Sequence, residues 1–265
     1  MCKRFVISTI SFILIIIFFS PVYAVGEKMP ISVRIAVIDT GIKTNRLDGE
    51  KIHEGKNYIT DGPTQDLDGH GTRIASIILG ADNGELKLTG SAPEAYLVPL
   101  VYSSKLPSGV PVCGGVDMIA QCVRDAIDIY GCQIICISSG IIYDDEILRE
   151  AVLYAEEMGV VVVSAVGNDN IRAPERIYYP AAYETVIGVG SVNSDGEVSS
   201  FSQQNTGVDL YALGEDVMAV SIKNAKFYEN VNGTSYAAAY IAGTVARLFM
   251  ENPELTPAEV RNMLY

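Results

Sequence analysis

The sequence predicts an α/β protein whose central sheet is mostly parallel and is flanked by helices. Short aliphatic runs rich in valine and isoleucine alternate along the chain with segments of helical periodicity. Such alternation is typical of parallel strands joined by right-handed crossovers. Hydrophobic residues make up 49% of the 265 positions, enough for one well-buried core. We therefore expect a single folded domain over residues 25–265, after a separate N-terminal segment.

The first half of this domain alternates between strands and helices. Its opening apolar run ends at an aspartate that precedes a glycine turn, and its first helix is stopped by Gly80. Apolar runs bounded by polar or glycine-containing segments mark the strands. The predicted elements are a strand over 33–38, a helix over 73–79, a strand over 96–101, a helix over 116–129 and a strand over 133–138.

The second half continues the same pattern and ends in two helices. The penultimate helix starts at Ser235 and is apolar on nearly every side, which predicts that it is buried. The last helix starts at Thr256 with a capping box and a proline at its first position. Before them we predict an amphipathic helix over 145–158 and strands over 160–165, 185–190, 208–211 and 217–221.

Residues 1–24 have the features of a secretory signal peptide. Lys3 and Arg4 precede an apolar run over residues 5–19, and the small residues Val22 and Ala24 indicate cleavage after Ala24. The alternative is an uncleaved membrane anchor, because the apolar stretch is just long enough to span a bilayer. In both cases we expect the domain to lie outside the cytoplasm, secreted in the first and membrane-anchored in the second.

The net charge limits the classes of partner. At −13 the chain is strongly acidic, whereas nucleic-acid binding requires a basic surface. We therefore expect no nucleic-acid partner, and membrane contact only if the N-terminal segment is uncleaved.

Four cysteines follow the N-terminal segment, and an exported protein meets oxidising conditions. Cys132 and Cys136 lie in a segment predicted to be extended, about 13 Å apart, which is too far for a direct disulfide. Two alternatives stay open: a disulfide between Cys122 and Cys132, or buried free thiols in all four positions, Cys113 included. No cysteine spacing resembles a zinc site, and no metal ligand is predicted.

Four polar residues at predicted element ends could act together. Asp39 follows the first strand, His70 precedes the first helix, Asn168 follows the strand over 160–165, and Ser235 starts the buried helix. A serine is a poor nucleophile until a base such as histidine takes its proton, and an aspartate can orient that histidine. The Asn168 amide and the Ser235 backbone N–H could stabilise the oxyanion of a tetrahedral intermediate.

The segments around these residues resemble the four signature motifs of the subtilisin-like serine proteases, peptidase family S8. The similarity extends from about residue 33 to the end of the chain. The resemblance implies a three-layer subtilisin-like α/β fold and an Asp39–His70–Ser235 triad with Asn168 in the oxyanion hole. The matching segments are Ile35-Ala-Val-Ile-Asp39-Thr-Gly41, Asp68-Gly-His70-Gly-Thr72, Val161-Val-Val-Ser-Ala-Val-Gly-Asn168 and Asn232-Gly-Thr-Ser235-Tyr-Ala237.

The resemblance also implies where a peptide substrate binds. The segment Ser138-Ser139-Gly140 corresponds to the one that pairs with the substrate backbone as an extended strand. Asp169 falls on the rim of the pocket for the residue before the scissile bond, and Tyr178 falls near its base. We hypothesise a shortened pocket with some tolerance for basic side chains. The residues implied to line it are Ala165, Val166 and Asn168.

Several positions depart from the family pattern. Arg73 stands where histidine is usual, Ser76 replaces a glycine, and Ala239 and Tyr240 replace a Pro-His pair. Residues 25–38 leave no room for a folded propeptide and omit the segment that helps form a common calcium site. We expect no cofactor, and a structural calcium ion near residues 81–84 is the alternative left open.

We therefore predict an exported serine endopeptidase that cleaves peptide or protein substrates through an acyl-enzyme. Relatives without a propeptide suggest that the substrate is the precursor of a secreted peptide. The alternative is a catalytically silent peptide-binding or regulatory protein on the same fold, for which Arg73 and the short termini are the motivation.

Overall fold

A computed structural model describes residues 32–106, 108–223 and 226–265. The predicted signal peptide or anchor over residues 1–24 lies outside the described residues. In chain order the strands are β1 (Arg34–Asp39), β2 (Lys56–Asn57), β3 (Gly80–Asp82), β4 (Lys87–Thr89), β5 (Tyr96–Val101), β6 (Ser103–Lys105), β7 (Pro111–Cys113), β8 (Ile134–Ile137), β9 (Val161–Ala165), β10 (Val186–Val192), β11 (Leu210–Leu213), β12 (Val217–Val220) and β13 (Tyr228–Val231). The α-helices are α1 (His70–Leu79), α2 (Val116–Asp128), α3 (Glu146–Glu157), α4 (Thr234–Glu251) and α5 (Pro257–Leu264), and two short 3₁₀ helices span Thr44–Arg46 and Gly49–Lys51.

The central sheet confirms the predicted α/β class. It has seven strands in the order β11-β10-β9-β8-β1-β5-β2, and every neighbouring pair is parallel. In the register of β1 and β5, Arg34 lies beside Tyr96 and Asp39 beside Val101. Because the strands are parallel, their carboxyl ends lie at one edge of the sheet, and the segments that follow β1, β8 and β9 start there.

Helices cover both faces of the sheet, giving three layers. In β1, Ile35 and Val37 belong to one apolar cluster with α1, α4 and α5, whereas Ala36 and Ile38 belong to a second cluster with α2 and α3. Successive side chains of a strand point to opposite faces, so a strand that is apolar at every position serves both layers. Within the described residues, no helix is both long enough and apolar enough to cross a membrane.

Caps in the sequence explain where the helices begin and end. The Asp145 side chain accepts a hydrogen bond from the Leu148 N–H at 3.1 Å and starts α3. Thr256 and Glu259 form the predicted capping box of α5. Gly80, with φ of 81°, ends α1. The same helix begins at His70, earlier than the predicted start at Arg73.

Three antiparallel hairpins, β3–β4, β6–β7 and β12–β13, lie outside the central sheet and were not predicted as hairpins. Their strands have three or four residues each. Such short strands carry little hydrophobic periodicity, so sequence patterns detect them poorly. The predicted strand over 217–221 is β12 and belongs to one of these hairpins.

All four described cysteines are free thiols, so the alternative of a Cys122–Cys132 disulfide is wrong. The alternative of buried free thiols is confirmed for three of them and is wrong about the burial of Cys113. Cys122, Cys132 and Cys136 are buried, while Cys113 is exposed. Cys122 and Cys132 belong to the cluster around α2 and α3, where they pack as small apolar side chains. Burial raises the pKa of Cys132 to about 12, which keeps its thiol protonated.

Candidate active site

Asp39 and His70 meet at the carboxyl edge of the sheet. Asp39 is the last residue of β1 and is buried, and His70 is the first residue of α1. The His70 Nδ1 atom lies 2.8 Å from Asp39 Oδ1 and 2.9 Å from Asp39 Oδ2. A carboxylate in this position favours the tautomer in which Nδ1 carries a proton, so Nε2 is left with its lone pair.

Close backbone approach explains the glycines that flank both residues. A Cβ atom on Gly71 would lie 2.2 Å from the Gly41 carbonyl oxygen, and one on Gly41 would lie 2.4 Å from the Thr64 carbonyl oxygen. Gly41 also has φ of 106°, in the left-handed region. The turn after β1 can therefore press against the first turn of α1, which brings the carboxylate to the imidazole.

Asp66 also holds this part of the site, and the sequence patterns did not identify it. Its buried Oδ1 accepts hydrogen bonds from Thr40 Oγ1 at 3.0 Å and from the Gly69 N–H at 2.7 Å. Its Oδ2 accepts from the Thr72 N–H at 2.9 Å and from Thr72 Oγ1 at 2.6 Å. Asp66 thus joins the turn after β1 to the start of α1. An acidic residue just before a helix start was the available signal.

Burial and the neighbouring charges shift the pKa of His70 in opposite directions. Burial lowers the pKa of His70, but the charge and hydrogen bond of Asp39 raise it by more, and the net pKa lies above the ordinary value. The positive charge of Arg73, three residues further along α1, acts to lower it. His70 therefore loses its proton at a higher pH than an ordinary histidine.

Ser235 lies at the start of the buried helix α4, as predicted. Its hydroxyl donates a hydrogen bond to the Ser138 carbonyl oxygen at 3.1 Å. The His70 ring instead contacts the ring of Tyr236, with centroids 5.7 Å apart. The structure thus brings His70 next to the residue that follows Ser235. No hydrogen bond between Ser235 Oγ and His70 is formed in the described part of the chain.

The side-chain amide of Asn168 is oriented by the start of α4. Its Oδ1 accepts a hydrogen bond from the Thr234 N–H at 2.8 Å, which leaves the Nδ2 donors without a protein acceptor among the described residues. The Thr234 hydroxyl in turn accepts from the Gly167 N–H at 3.2 Å. These two bonds fix the loop after β9 against α4. As a first-turn residue, Ser235 also has a backbone N–H without an intrahelical acceptor.

A cavity of about 320 Å³ lies between the segments after β8 and β9 and the start of α4. Most of the predicted substrate-binding residues line it. Val166 does not line it, because its side chain is buried in the domain. Its N–H donates to the Val189 carbonyl oxygen at 3.2 Å. Gly167 lines the cavity in its place. The lining residues are Ser138, Ser139, Gly140, Ala165, Gly167, Asn168, Asp169, Tyr178, Thr234 and Ser235.

The ring of Tyr178 lies across Gly167. A Cβ atom on Gly167 would lie 2.5 Å from the Tyr178 ring, and the backbone there has φ of 104°. Only glycine allows this approach without displacing the ring. The tyrosine therefore fills space on one side of the cavity. That this cavity is a shortened substrate pocket stays a prediction.

Two departures from the family pattern have partners in the structure. Arg73 Nε donates to Glu229 Oε1 at 2.8 Å, so this arginine connects α1 to β13 beside His70. The buried Ser76 hydroxyl donates to the Arg73 carbonyl oxygen at 2.7 Å and accepts from the Val220 N–H at 3.0 Å. Neither residue displaces Asp39 from His70.

In the hairpin β3–β4, around residues 81–84, hydrogen bonds within the chain reach several of the oxygen atoms that a calcium ion could bind. The Asp82 and Asn83 side-chain oxygens accept hydrogen bonds from backbone N–H groups of their own turn. The carbonyl oxygens of Ala81 and Leu86 accept from the Tyr228 hydroxyl at 3.1 and 2.7 Å. These bonds hold the turn within the chain, and calcium binding at this hairpin stays a prediction.

Comparison with known proteins gives a consistent family relationship. A model of the subtilase family matches residues 31–265. Subtilisin DY from Bacillus licheniformis is 32% identical over 241 residues, which cover 88% of this chain and 82% of that protein. The major intracellular serine protease of Bacillus subtilis (strain 168) is 37% identical over 224 residues, 81% of this chain and 67% of that protein.

Solved structures show the same fold. A cold-adapted subtilisin-like serine proteinase superimposes with a TM-score of 0.73 at 28% identity, covering 88% of this chain and 80% of that one. The S41 psychrophilic protease gives a TM-score of 0.75 at 27% identity, with coverage of 88% and 82%. The three-layer fold predicted from the sequence is therefore that of subtilisin-like proteases.

Proposed function

This chain belongs to the subtilase family of serine peptidases, and from that premise we propose that Asp39, His70 and Ser235 are its catalytic triad. Its family implies a peptide or protein substrate. The observation that carries the proposal is the contact of His70 Nδ1 with both carboxylate oxygens of Asp39, at 2.8 and 2.9 Å, beside the helix whose first turn holds Ser235.

In the proposed reaction the Ser235 hydroxyl turns from the Ser138 carbonyl to His70. As Oγ bonds to the substrate carbonyl carbon, His70 Nε2 takes the hydroxyl proton and the carbonyl electron pair moves to oxygen. Asp39 stabilises the resulting imidazolium. The Asn168 Nδ2 donors and the Ser235 N–H have no acceptor among the described residues and could bind the oxyanion, which supports their assignment to the oxyanion hole.

Collapse of the tetrahedral intermediate breaks the C–N bond. The carbonyl re-forms, and the leaving amine takes the proton from His70 Nε2, which leaves an acyl group on Ser235. Water then repeats the sequence: it gives a proton to His70, adds to the acyl carbon, and releases Ser235 with its proton restored. The segment 138–140 would pair with the substrate backbone along the cavity.

We further propose that the chain acts outside the cytoplasm. The support is the pattern of positive, apolar and small residues over 1–24. The family does not decide this point, because one relative is named an intracellular protease. The identity of the substrate as a secreted peptide precursor stays a prediction.

The decisive experiment is labelling of the purified, full-length product with a fluorophosphonate probe. We expect covalent labelling of the wild-type protein and none of Ser235→Ala, because only an activated serine reacts. Ser138→Ala is the matched control, since its backbone carbonyl is unchanged by the substitution, and it should still label. A folded wild-type protein that does not label would favour the silent peptide-binding alternative.

The intact mass of the same labelled protein tests whether the N-terminal segment is cleaved. A chain that begins at Val25 agrees with a cleaved signal peptide. A chain that still begins at Met1 would contradict cleavage and favour the anchor.

A further inference from the structure

The carboxylate on the rim of the cavity is already paired within the chain. Arg176 Nη1 forms an ion pair with Asp169 Oδ2. Gln203 Nε2 donates to Asp169 Oδ1 at 2.6 Å. Both carboxylate oxygens thus have donors, and the negative charge that could attract a basic substrate side chain is matched by a guanidinium. This argues against the hypothesis that Asp169 lets the pocket accept basic residues.

The surrounding loop is built to keep this pair together. The Arg176 N–H donates to the Ala173 carbonyl oxygen at 3.1 Å, and Asn205 Nδ2 donates to the Arg176 carbonyl oxygen at 2.7 Å. The fully buried Gln203 side chain also donates to the Ala173 carbonyl oxygen at 3.0 Å. Backbone and side chain therefore hold Arg176 beside Asp169 without any substrate.

Asp169 is charged in this arrangement. Burial raises the pKa of Asp169, but hydrogen bonds from Gln203 and Tyr178 and the charge of Arg176 lower it by more, so the net pKa lies below the ordinary value. The ion pair is nonetheless partly exposed: 42% of the Arg176 side chain and 21% of the Asp169 side chain are accessible. A pair in that position is weak enough for single substitutions to unmask the carboxylate without unfolding the loop.

We propose that Arg176 is a specificity-determining residue that cancels the charge of Asp169 and makes the pocket select uncharged side chains before the scissile bond. Tyr178, across Gly167, restricts the size of those side chains on the same side of the cavity. This proposal rests on the proposed protease function. It assigns the substrate class: peptides with a small or medium-sized neutral residue at that position, with lysine and arginine disfavoured.

The test compares two tetrapeptide nitroanilides that differ only in lysine or methionine before the scissile bond. We expect Arg176→Gln to raise the lysine-to-methionine ratio of kcat/KM about fivefold, because the cation that offsets the charge of Asp169 is removed. Arg176→Lys should keep the wild-type ratio, because the cation is retained. Arg172→Gln is the matched control: this exposed arginine of the same loop forms no ion pair with the described residues.

Two further measurements show that the effect is electrostatic. The fivefold gain of Arg176→Gln should disappear in the Arg176→Gln/Asp169→Asn double variant. It should also shrink in 1 M salt, where exposed charges are screened within about 3 Å. A gain that survives both changes would point to the smaller volume of glutamine, and would overturn the proposal.

The failure of this proposal is distinguishable from that of the proposed function. The same two sequences, as fluorescent peptides, can be titrated onto Ser235→Ala, with and without Arg176→Gln, and their affinities compared without any catalysis. An unchanged ratio of affinities in a folded variant overturns the role of Arg176, whether or not the wild-type protein labels with fluorophosphonate. Absence of labelling with a changed ratio overturns only the protease function.

Discussion

At the scale of single residues, one carboxylate and one guanidinium shift the pKa of His70 in opposite directions. Asp39 contacts the imidazole directly, at 2.8 Å, and raises its pKa, whereas Arg73 lowers it from the next turn of α1. Arg73 is itself held by Glu229 across the gap to β13. Arg73, which departs from the family pattern, is thus a positive charge that lowers the pKa of His70, the proposed general base.

We expect Arg73→Gln to move the acid limb of the pH profile of kcat/KM to higher pH. The limb reports deprotonation of the His70 base. Removing the cation raises the pKa of His70 further above its ordinary value, and the unpaired Glu229 carboxylate acts in the same direction. Arg247→Gln, at an exposed arginine of α4, is the control and should leave the limb in place. A limb that stays fixed or moves to lower pH in Arg73→Gln would contradict the assignment.

At the scale of elements, helix ends that depend on neighbouring residues could be predicted from the sequence. The caps at Asp145 and Thr256 and the stop at Gly80 place helix ends correctly, because those side chains and that φ angle act within a few residues. The hydrogen bonds by which Asp66 joins β1 to α1 were not predicted, because its partners Thr40 and Thr72 come from two separate segments. The pairing of Asp169 with Arg176 was missed for a related reason: nothing in the spacing shows that the loop turns back.

Replacement of Asp66 should loosen the junction between β1 and α1. Asp66→Ala leaves buried N–H groups of Gly69 and Thr72 without acceptors, at about 1–3 kcal/mol for each. We expect the free energy of unfolding to fall by about 3 kcal/mol and kcat to fall about tenfold or more, with little change in KM, because His70 is less well positioned. Chemical denaturation and steady-state kinetics measure the two effects. Gln65→Ala, at the exposed neighbouring residue, should change neither quantity. Wild-type stability and kinetics in Asp66→Ala would show that Asp66 does not hold β1 and α1 together.

At the scale of the whole domain, the parallel sheet explains why distant segments form one site. Asp39 ends β1, whereas Ser138 and Asn168 lie just beyond the carboxyl ends of β8 and β9. Ser235 lies in the first turn of α4, which packs against one face of the same sheet. Two apolar clusters, one on each face, hold these strands in register. The geometry of the site therefore depends on the stability of the core, and peripheral hairpins such as β3–β4 contribute to that stability through contacts such as those of Tyr228.

The thermal stability of the domain should not depend on calcium. The hairpin β3–β4 is held by the Tyr228 hydroxyl, which donates to the Ala81 and Leu86 carbonyl oxygens, so no cation is needed to gather them. We expect the same Tm by calorimetry in excess chelator and in excess calcium chloride. Tyr228→Phe should lower stability by about 1 kcal/mol in both buffers, because the hydroxyl donor is lost while the ring remains. A Tm that falls on chelation and recovers when calcium is restored would show that a bound ion, at this hairpin or elsewhere, supports the fold.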